Sequence, residues 1–245
     1  MKIIKHIPNT ITSMNLLCGL MGVIFTFQGR FDIAFYLMLG GAVCDFCDGL
    51  AARLLGAYSE LGKQLDSMAD MITFGALPSL MLHRLMIATH GDHIICYVPL
   101  LIGVFSAIRL AKFNIDERQS ENFIGLATPA CAIICGSFTY YVTADPTSVL
   151  LKWAASEWFI PAASLILSIL LISEIPMFSM KFKKSMKPGS PIHKQRISFL
   201  GVILVACILV ILLGLNWSMI PLLVFVSYVV MNIGIFLIWG KKIRG

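Results

Sequence analysis

Two short segments, DFCDGLAAR at residues 45–53 and GKQLDSMAD at residues 62–70, determine how the rest of the chain is interpreted. Each carries two aspartates at helical spacing, which are Asp45 with Asp48 and Asp66 with Asp70. Aspartates three or four residues apart share one face of an α-helix. The link between the segments is short, so we predict two antiparallel helices whose aspartates face each other.

The composition surrounding these segments is that of a membrane protein. Of 245 residues, 58% are hydrophobic and 13% are charged, which is far more apolar than an ordinary globular domain. Apolar runs close to the roughly 20 residues needed to cross a bilayer recur along the chain. We predict an all-α integral membrane protein, a polytopic bundle of about eight transmembrane helices. The expected spans are Ile11–Phe27, Ile33–Leu50, Met71–Ala88, Ile94–Phe113, Ala127–Val142, Phe159–Ile172, Phe199–Leu213 and Met219–Trp239.

The distribution of charge predicts how this bundle is oriented. The formal net charge is +6, and most basic residues fall in the loops of one side. The positive-inside rule then places both termini and the four aspartates on the cytoplasmic side of the cell membrane, next to anionic membrane lipids. Because the basic residues do not form an exposed face, we expect no binding of nucleic acid.

Four converging carboxylates predict a particular chemistry. In a partly dehydrated site they repel one another, and a hard divalent cation that is shared with substrate phosphates relieves the repulsion. The spacing therefore indicates a diphosphate substrate. Gly49, Ala52 and Gly62 lie on the same helix faces and leave room for a large head group. Arg53 either binds phosphate oxygens or anchors the topology on the cytoplasmic side.

The two segments match the signature D-x-x-D-G-x-x-A-R followed, after eight residues, by G-x-x-x-D-x-x-x-D. The chain therefore resembles the CDP-alcohol phosphotransferase family. The resemblance implies a divalent metal, Mg²⁺ or Mn²⁺, and a homodimer. It implies that Asp70 is also the general base, and that the metal ligands are Asp45, Asp48, Asp66 and Asp70. It further implies that the nucleotide and diphosphate are contacted by Gly49, Ala52, Arg53 and Gly62.

The segment PNTITSMN at residues 8–15 is similar to the family's P-N-x-x-T-x-x-N entry to the bundle. Asn9 and Thr12 are accordingly candidate substrate-binding residues. A helix cap is the other interpretation of either side chain, and the two roles do not exclude each other.

Three later segments resemble the phosphatidylserine synthases of that family, namely ADMITFGALP (69–78), RLAKFN (109–114) and ISEIPMFSMK (172–181). The resemblance implies transfer of a phosphatidyl group from CDP-diacylglycerol to serine in phospholipid biosynthesis, with phosphatidylserine and CMP as products. Arg109, Asn114 and Lys181 are the candidate acceptor-binding residues, and Arg109 is matched to the serine carboxylate. On physical grounds Arg109 could equally pair with Glu174 or with a lipid phosphate.

We expect a membrane enzyme domain at residues 1–181, a basic cytoplasmic loop at 182–198 and an additional helix pair at 199–245. The nearest alternative is the same fold and donor with glycerol 3-phosphate or inositol phosphate as acceptor. An intramembrane prenyltransferase also uses aspartates and Mg²⁺, but the glycine, alanine and arginine positions argue against it. A cation transporter would place its carboxylates near the membrane midplane, whereas these lie at the cytoplasmic ends of their helices.

Overall fold

The computed structural model describes residues 6–115, 123–145, 147–177 and 191–243, and these are predominantly helical. The prediction of an all-α membrane bundle is confirmed. Lys181 and residues 182–190 of the predicted loop lie outside the described residues. The helices are α1 (Ile7–Phe27), α2 (Phe31–Leu55), α3 (Glu60–Asp70), α4 (Leu77–His90), α5 (Leu100–Ile115), α6 (Thr128–Ala144), α7 (Val149–Ala154), α8 (Phe159–Ile172), α9 (Pro191–Leu212) and α10 (Met219–Ile243).

Each predicted span falls largely on helical structure, and the chain is a multi-pass membrane protein. The two apolar helices that are shorter than a full span are α8 and residues Ile197–Leu212 of α9. The helix α9 includes residues 191–198, which precede the predicted span and belong to the predicted loop. Within the described residues, five helical stretches are long and apolar enough to cross a membrane. They are Ile7–Phe27, Phe31–Leu55, Glu60–His90, Ile94–Ile115 and Met219–Ile238.

The stretch Glu60–His90 consists of two α-helical segments with a π-helical turn between them. It begins with α3, where the Ser59 side chain accepts a hydrogen bond of 3.0 Å from the Gly62 backbone N–H and so satisfies one of the free donors at the helix start. A π-helical turn, Met71–Ala76, follows directly after Asp70 and leads into α4. Single π turns inside α-helices are frequent at functional sites, and the sequence analysis did not predict this one.

A small antiparallel pairing lies just before the start of α6. The strand β1 (Phe123–Ile124) pairs with β2 (Pro176–Met177), just beyond the end of α8. Gly125 follows with a φ of +75°, and a Cβ there would lie 2.8 Å from the carbonyl oxygen of Leu171. Only glycine accommodates both this conformation and this approach. The pairing thereby fixes the start of α6 against the end of α8.

The C-terminal pair α9 and α10 packs on the rest of the bundle. The helix α10 lies against α6 and α9 and also contacts β2. In the turn between α9 and α10, the Trp217 ring stacks on those of Phe35 and Tyr36 in α2, with centroids 5.7 Å apart in both cases. The additional helix pair therefore packs on α6 and β2 through α10, and on α2 through the turn that precedes α10.

Candidate active site

The aspartates meet where the start of α1, the end of α2 and the start of α3 come together. Asp45, Asp48 and Asp66 each offer one carboxylate oxygen, and these three oxygens all lie within 4.8 Å of one another. Asp48 is buried, and Asp45 and Asp66 are partly buried. The structure thus brings three of the four predicted metal ligands into one group.

The group has the properties of a cation site. Asp66 Oδ1 is buried and has no hydrogen-bond partner within the described part of the chain. Among these residues the one ion pair within 4.0 Å joins Arg30 to Asp32, so no lysine or arginine there neutralises the group. Partly buried carboxylates without a counter-charge favour a hard cation with oxygen ligands. The residues present therefore fit a divalent metal ion.

Polar residues of α1 orient two of the aspartates. The Thr12 hydroxyl lies 2.6 Å from Asp48 Oδ2, and both side chains are buried. The N-cap of α1 is His6, with no side-chain cap hydrogen bond. The cap interpretation of Asn9 and Thr12 is therefore wrong, and Thr12 instead supports a candidate metal ligand.

Asp70 lies near the three grouped aspartates but is not one of them. Its Oδ1 accepts a hydrogen bond of 3.1 Å from Asn15 Nδ2, and Asn15 is fully buried. Asp70 is the last residue of α3, so the π turn starts immediately after it. Asn15 was not predicted as a partner of Asp70, although Asn15 is the last fixed position of the P-N-x-x-T-x-x-N pattern.

The π turn is anchored to α1 beside Asp70. The Thr73 hydroxyl donates a hydrogen bond of 3.0 Å to the Asn15 carbonyl oxygen. A side chain at Gly19 or at Gly41 would collide with Thr73, so these two glycines allow α1 and α2 to approach the turn closely. This contact fixes the carboxylate of Asp70 relative to the other three.

A cavity of about 550 Å³ opens next to the three grouped aspartates. A Cβ added at Gly49 would meet nothing within 4 Å. A Cβ added at Gly62 would lie 2.9 Å from Asn9 Oδ1. Tyr58, Ser59 and Glu60 also line the cavity and were not predicted. The predicted site residues that line it are Asn9, Thr12, Asp48, Gly49, Ala52, Gly62 and Asp66.

Arg53 does not line this cavity. Its side chain is exposed, and its Nε donates a hydrogen bond of 2.9 Å to the carbonyl oxygen of Gly49 one turn earlier. The structure places Arg53 at the rim, next to a cavity residue. Its predicted contact with phosphate stays a prediction.

Arg109 does not line the aspartate cavity either. It is 8% exposed, and its Nη1 donates a hydrogen bond of 2.8 Å to the Thr128 hydroxyl. Its Nε is buried and has no partner among the described residues. Asp70 is close enough to attract the guanidinium. The alternative pairing with Glu174 is not among the ion pairs of the described residues.

Asn114 connects α5 to α3. Its Nδ2 donates a hydrogen bond of 2.8 Å to the Ser67 hydroxyl, and its carbonyl oxygen accepts one of 3.0 Å from Lys63 Nζ. Asn114 and Ser67 line a second, smaller groove of about 400 Å³ together with Leu16. The structure therefore places Asn114 on another face of α3 than the aspartate cavity.

The chain is similar in sequence to known proteins over the part that contains this site. The sequence model of the CDP-alcohol phosphatidyltransferase family matches residues 5–170, which contain all four aspartates. The chain is 36% identical over 140 residues to the CDP-diacylglycerol–serine O-phosphatidyltransferase of Bacillus subtilis, over 56% of this chain and 77% of the relative.

Two further relatives are similar over other lengths. The CDP-diacylglycerol–serine O-phosphatidyltransferase of Mycobacterium leprae is 31% identical over 185 residues, which are 72% of this chain and 59% of the relative. The archaetidylserine synthase of Methanothermobacter thermautotrophicus is 30% identical over 134 residues, 54% of this chain and 57% of the relative. The chain thus spans somewhat more than half the length of these two proteins.

Proposed function

Because the chain belongs to the CDP-alcohol phosphatidyltransferase family, we propose that it transfers the phosphatidyl group of CDP-diacylglycerol to the hydroxyl group of L-serine. The products are phosphatidylserine and CMP. One observation carries the proposal: three aspartate oxygens lie within 4.8 Å of one another, and two of these aspartates, Asp48 and Asp66, line a cavity together with the small residues of the family signature. The names of the Bacillus and Mycobacterium relatives support the choice of donor and acceptor.

The cavity is the proposed place of the cytidine diphosphate part of the donor. Gly49, Ala52 and Gly62 leave the helix backbones accessible there, and Asn9 supplies a polar contact. Asp45, Asp48 and Asp66, with Asp70 beside them, would hold Mg²⁺ or Mn²⁺, which supplies positive charge for the diphosphate when bound. The acyl chains of the donor stay in the bilayer.

Asp70 is the proposed general base. Its carboxylate takes the proton of the serine hydroxyl while Asn15 holds it in position through the bond to Oδ1. The serine oxygen forms the new bond to the lipid-side phosphorus, and the bond from that phosphorus to the oxygen of CMP breaks. The reaction needs no covalent enzyme intermediate.

Arg109 is the proposed partner of the serine carboxylate. Its buried Nε has no protein partner among the described residues, and a buried guanidinium N–H is costly to leave without an acceptor. Thr128 holds Nη1, so the guanidinium can present its remaining donors toward an anion. Asn114 and Lys181 stay weaker candidates for contact with the acceptor.

We further propose that the site faces the cytoplasm. The start of α1, the ends of α2, α5 and α8, and the starts of α3 and α6 all lie at the same end of the bundle, because consecutive helices alternate in direction. The basic loops are at this end, which the positive-inside rule assigns to the cytoplasm. The homodimer implied by the family resemblance stays a prediction.

Release of CMP tests the function directly. The purified protein in mixed micelles receives CDP-diacylglycerol, Mg²⁺ or Mn²⁺ and one acceptor at a time: L-serine, glycerol 3-phosphate, inositol phosphate or ethanolamine. We expect CMP and phosphatidylserine only with serine. If glycerol 3-phosphate reacts and serine does not, the proposed acceptor is wrong and the proposed donor is still supported. Failure to release CMP with any acceptor would overturn the proposed function.

A further inference from the structure

The connection between α2 and α3 lines the aspartate cavity with residues that the family signature leaves unspecified. Tyr58 belongs to this connection, and Glu60 is the first residue of α3. Gly56 ends α2 with a φ of +57°, and the Ala57 backbone N–H donates a hydrogen bond of 3.0 Å to the Ala52 carbonyl oxygen. Since a φ of this sign suits glycine, the connection follows a defined path along the cavity.

The position of Glu60 relative to the aspartates suits the nucleoside part of the donor. Glu60 lies six residues before Asp66 in α3, which is about 9 Å along the helix at 1.5 Å per residue. In the proposed function the diphosphate lies at the aspartates and the acyl chains stay in the bilayer. The nucleoside therefore extends the other way, toward the start of α3 and the connection that precedes it.

Tyr58 offers an aromatic surface at this place. Its side chain is 72% exposed, so most of the ring is accessible to a ligand in the cavity that it lines. Aromatic rings stack on nucleobases, and the stacking does not distinguish one base from another. A stacked tyrosine would thus hold the base, and another group must identify it.

Cytosine and uracil differ in one group that a protein can recognise. Cytosine carries a 4-amino group, which donates, where uracil carries a 4-carbonyl group, which accepts. A side chain that only accepts, such as a carboxylate, therefore separates the two bases. Among the described residues, the carboxylates that line the cavity are those of Asp48, Asp66 and Glu60. The first two belong to the candidate metal group and Glu60 does not.

The other polar side chains of the cavity cannot make this distinction. The amide of Asn9 and the lining hydroxyl groups can each donate or accept a hydrogen bond, so they fit either base. The ammonium group of Lys63 only donates, and it already donates to the carbonyl oxygen of Asn114 at 3.0 Å. Glu60 is the lining side chain whose chemistry fits cytosine and not uracil.

We propose that Glu60 and Tyr58 recognise the cytosine base of the donor. The Glu60 carboxylate accepts a hydrogen bond from the 4-amino group, and the Tyr58 ring stacks on the base. This inference rests on the proposed function and deepens it, because it names the side chains that select a cytidine nucleotide over a uridine nucleotide. Without such a role, a carboxylate is unfavourable in a cavity that takes an anionic nucleotide.

Binding of CDP and UDP to the purified protein tests the proposal, with Mg²⁺ present and no acceptor, by isothermal titration calorimetry. We expect the parent protein to bind CDP roughly 10- to 100-fold more tightly than UDP, as for one hydrogen bond to a charged group. The amide in Glu60→Gln can also donate to the uracil carbonyl, so the two affinities should then differ by less than roughly 3-fold. Equal affinities in the parent, or an unchanged ratio in Glu60→Gln, would overturn the proposal.

Variants of Tyr58 test the stacking. Tyr58→Ala should weaken the binding of both nucleotides by roughly 10-fold, and Tyr58→Phe should not, because stacking needs the ring and not the hydroxyl. Unchanged binding in Tyr58→Ala would overturn the part assigned to Tyr58. The control for the charge change is Glu157→Gln, an exposed glutamate between α7 and α8 that does not line the cavity. It should leave the CDP-to-UDP ratio as in the parent.

The binding measurement separates this inference from the proposed reaction. If the parent releases no CMP with serine but binds CDP more tightly than UDP, the proposed reaction fails and the recognition of cytosine stands. If the parent releases CMP with serine but binds both nucleotides equally, the recognition of cytosine by Glu60 fails and the reaction stands.

Discussion

The donor side and the acceptor side of the site are built in different ways. The donor side consists of carboxylates and small residues from three consecutive helices, α1 to α3, and it borders an open cavity. The acceptor side has one buried guanidinium, which Thr128 of α6 holds across the bundle. Binding on the donor side therefore depends on the charge of the carboxylates and on the space in the cavity. Binding on the acceptor side depends on the position of one guanidinium, that of Arg109.

This difference has a kinetic consequence. Removing charge from the donor side should stop the reaction with every acceptor, because the diphosphate is common to all of them. A change on the acceptor side should mainly alter the KM for serine, because only serine loses a partner. Variants of the two sides should consequently separate in their kinetic constants.

The largest effect should follow from removing a carboxylate of the donor side. We expect Asp48→Asn and Asp66→Asn each to lower the rate of CMP release by roughly a thousandfold or more, as for a group that stabilises transition-state charge through a metal. The rate of CMP release is measured at saturating CDP-diacylglycerol and serine. A chelator should have the same effect on the parent protein, and added Mg²⁺ or Mn²⁺ should reverse it.

Asp32→Asn is the matched control for these variants. Asp32 belongs to α2 like Asp48, but it pairs with Arg30 at the other end of that helix, and the two side chains are 39% and 56% exposed. An exposed ion pair contributes little to the free energy of unfolding. The Asp32→Asn variant should therefore fold and keep its activity. Full activity in either Asp48→Asn or Asp66→Asn would remove that residue from the site.

The second effect concerns Arg109. We expect Arg109→Gln to raise the KM for serine by roughly 30- to 100-fold, since a charged donor to a carboxylate is lost in a buried place. The KM for CDP-diacylglycerol should change little. Steady-state kinetics with each substrate varied in turn provide the measurement.

Lys112→Gln is the control, because Lys112 lies on the same helix and is exposed. It should leave both KM values unchanged. Ethanolamine, which lacks the carboxylate, should be a poor acceptor for the parent and should lose little further in Arg109→Gln. If Arg109→Gln raises the KM values for both substrates equally, Arg109 has a structural role, and another residue binds the serine carboxylate.

A third and smaller effect returns to the donor side. In Gly62→Ala the new Cβ would lie 2.9 Å from Asn9 Oδ1 and 3.0 Å from Ser59 Oγ, so both neighbours must shift. We expect the KM for CDP-diacylglycerol to rise roughly 10-fold, in line with the cost of overpacking. The serine KM should not change. Gly201→Ala in α9, where a Cβ meets nothing within 4 Å, should be neutral.

The same contrast explains what could be predicted from the sequence. The donor side lies within residues 8–70, and helical spacing alone places Asp45 near Asp48 and Asp66 near Asp70. The membrane helices followed from apolar length. The helical structure of residues 191–198 did not, because residues 191–196 are not predominantly apolar.

The acceptor side could not be assembled in this way. Thr128 lies in another helix than Arg109, and no spacing along the sequence indicates the hydrogen bond between them. The π turn after Asp70 was missed for a related reason. It depends on contacts of Thr73 with α1 and α2, and the pattern of apolar residues carries no sign of it.

The smallest effect tests whether Asn114 belongs to the acceptor side or only connects helices. Its side chain donates to the Ser67 hydroxyl at 2.8 Å, which suggests that it acts through α3. We expect Asn114→Ala to lower kcat/KM only a few-fold, as for one hydrogen bond between neutral groups. Ser67→Ala should have the same effect, and the double variant should be no worse than either single variant.

The two single variants decide between the roles because they remove the same bond from opposite ends. If Asn114 binds the acceptor, Asn114→Ala raises the serine KM while Ser67→Ala does not. If it only joins α5 to α3, both variants change thermal stability by a similar amount and leave the ratio of the two KM values untouched. Additive losses in the double variant would show that the two side chains act independently, and Asn114 would then return to the candidates for serine recognition beside Arg109.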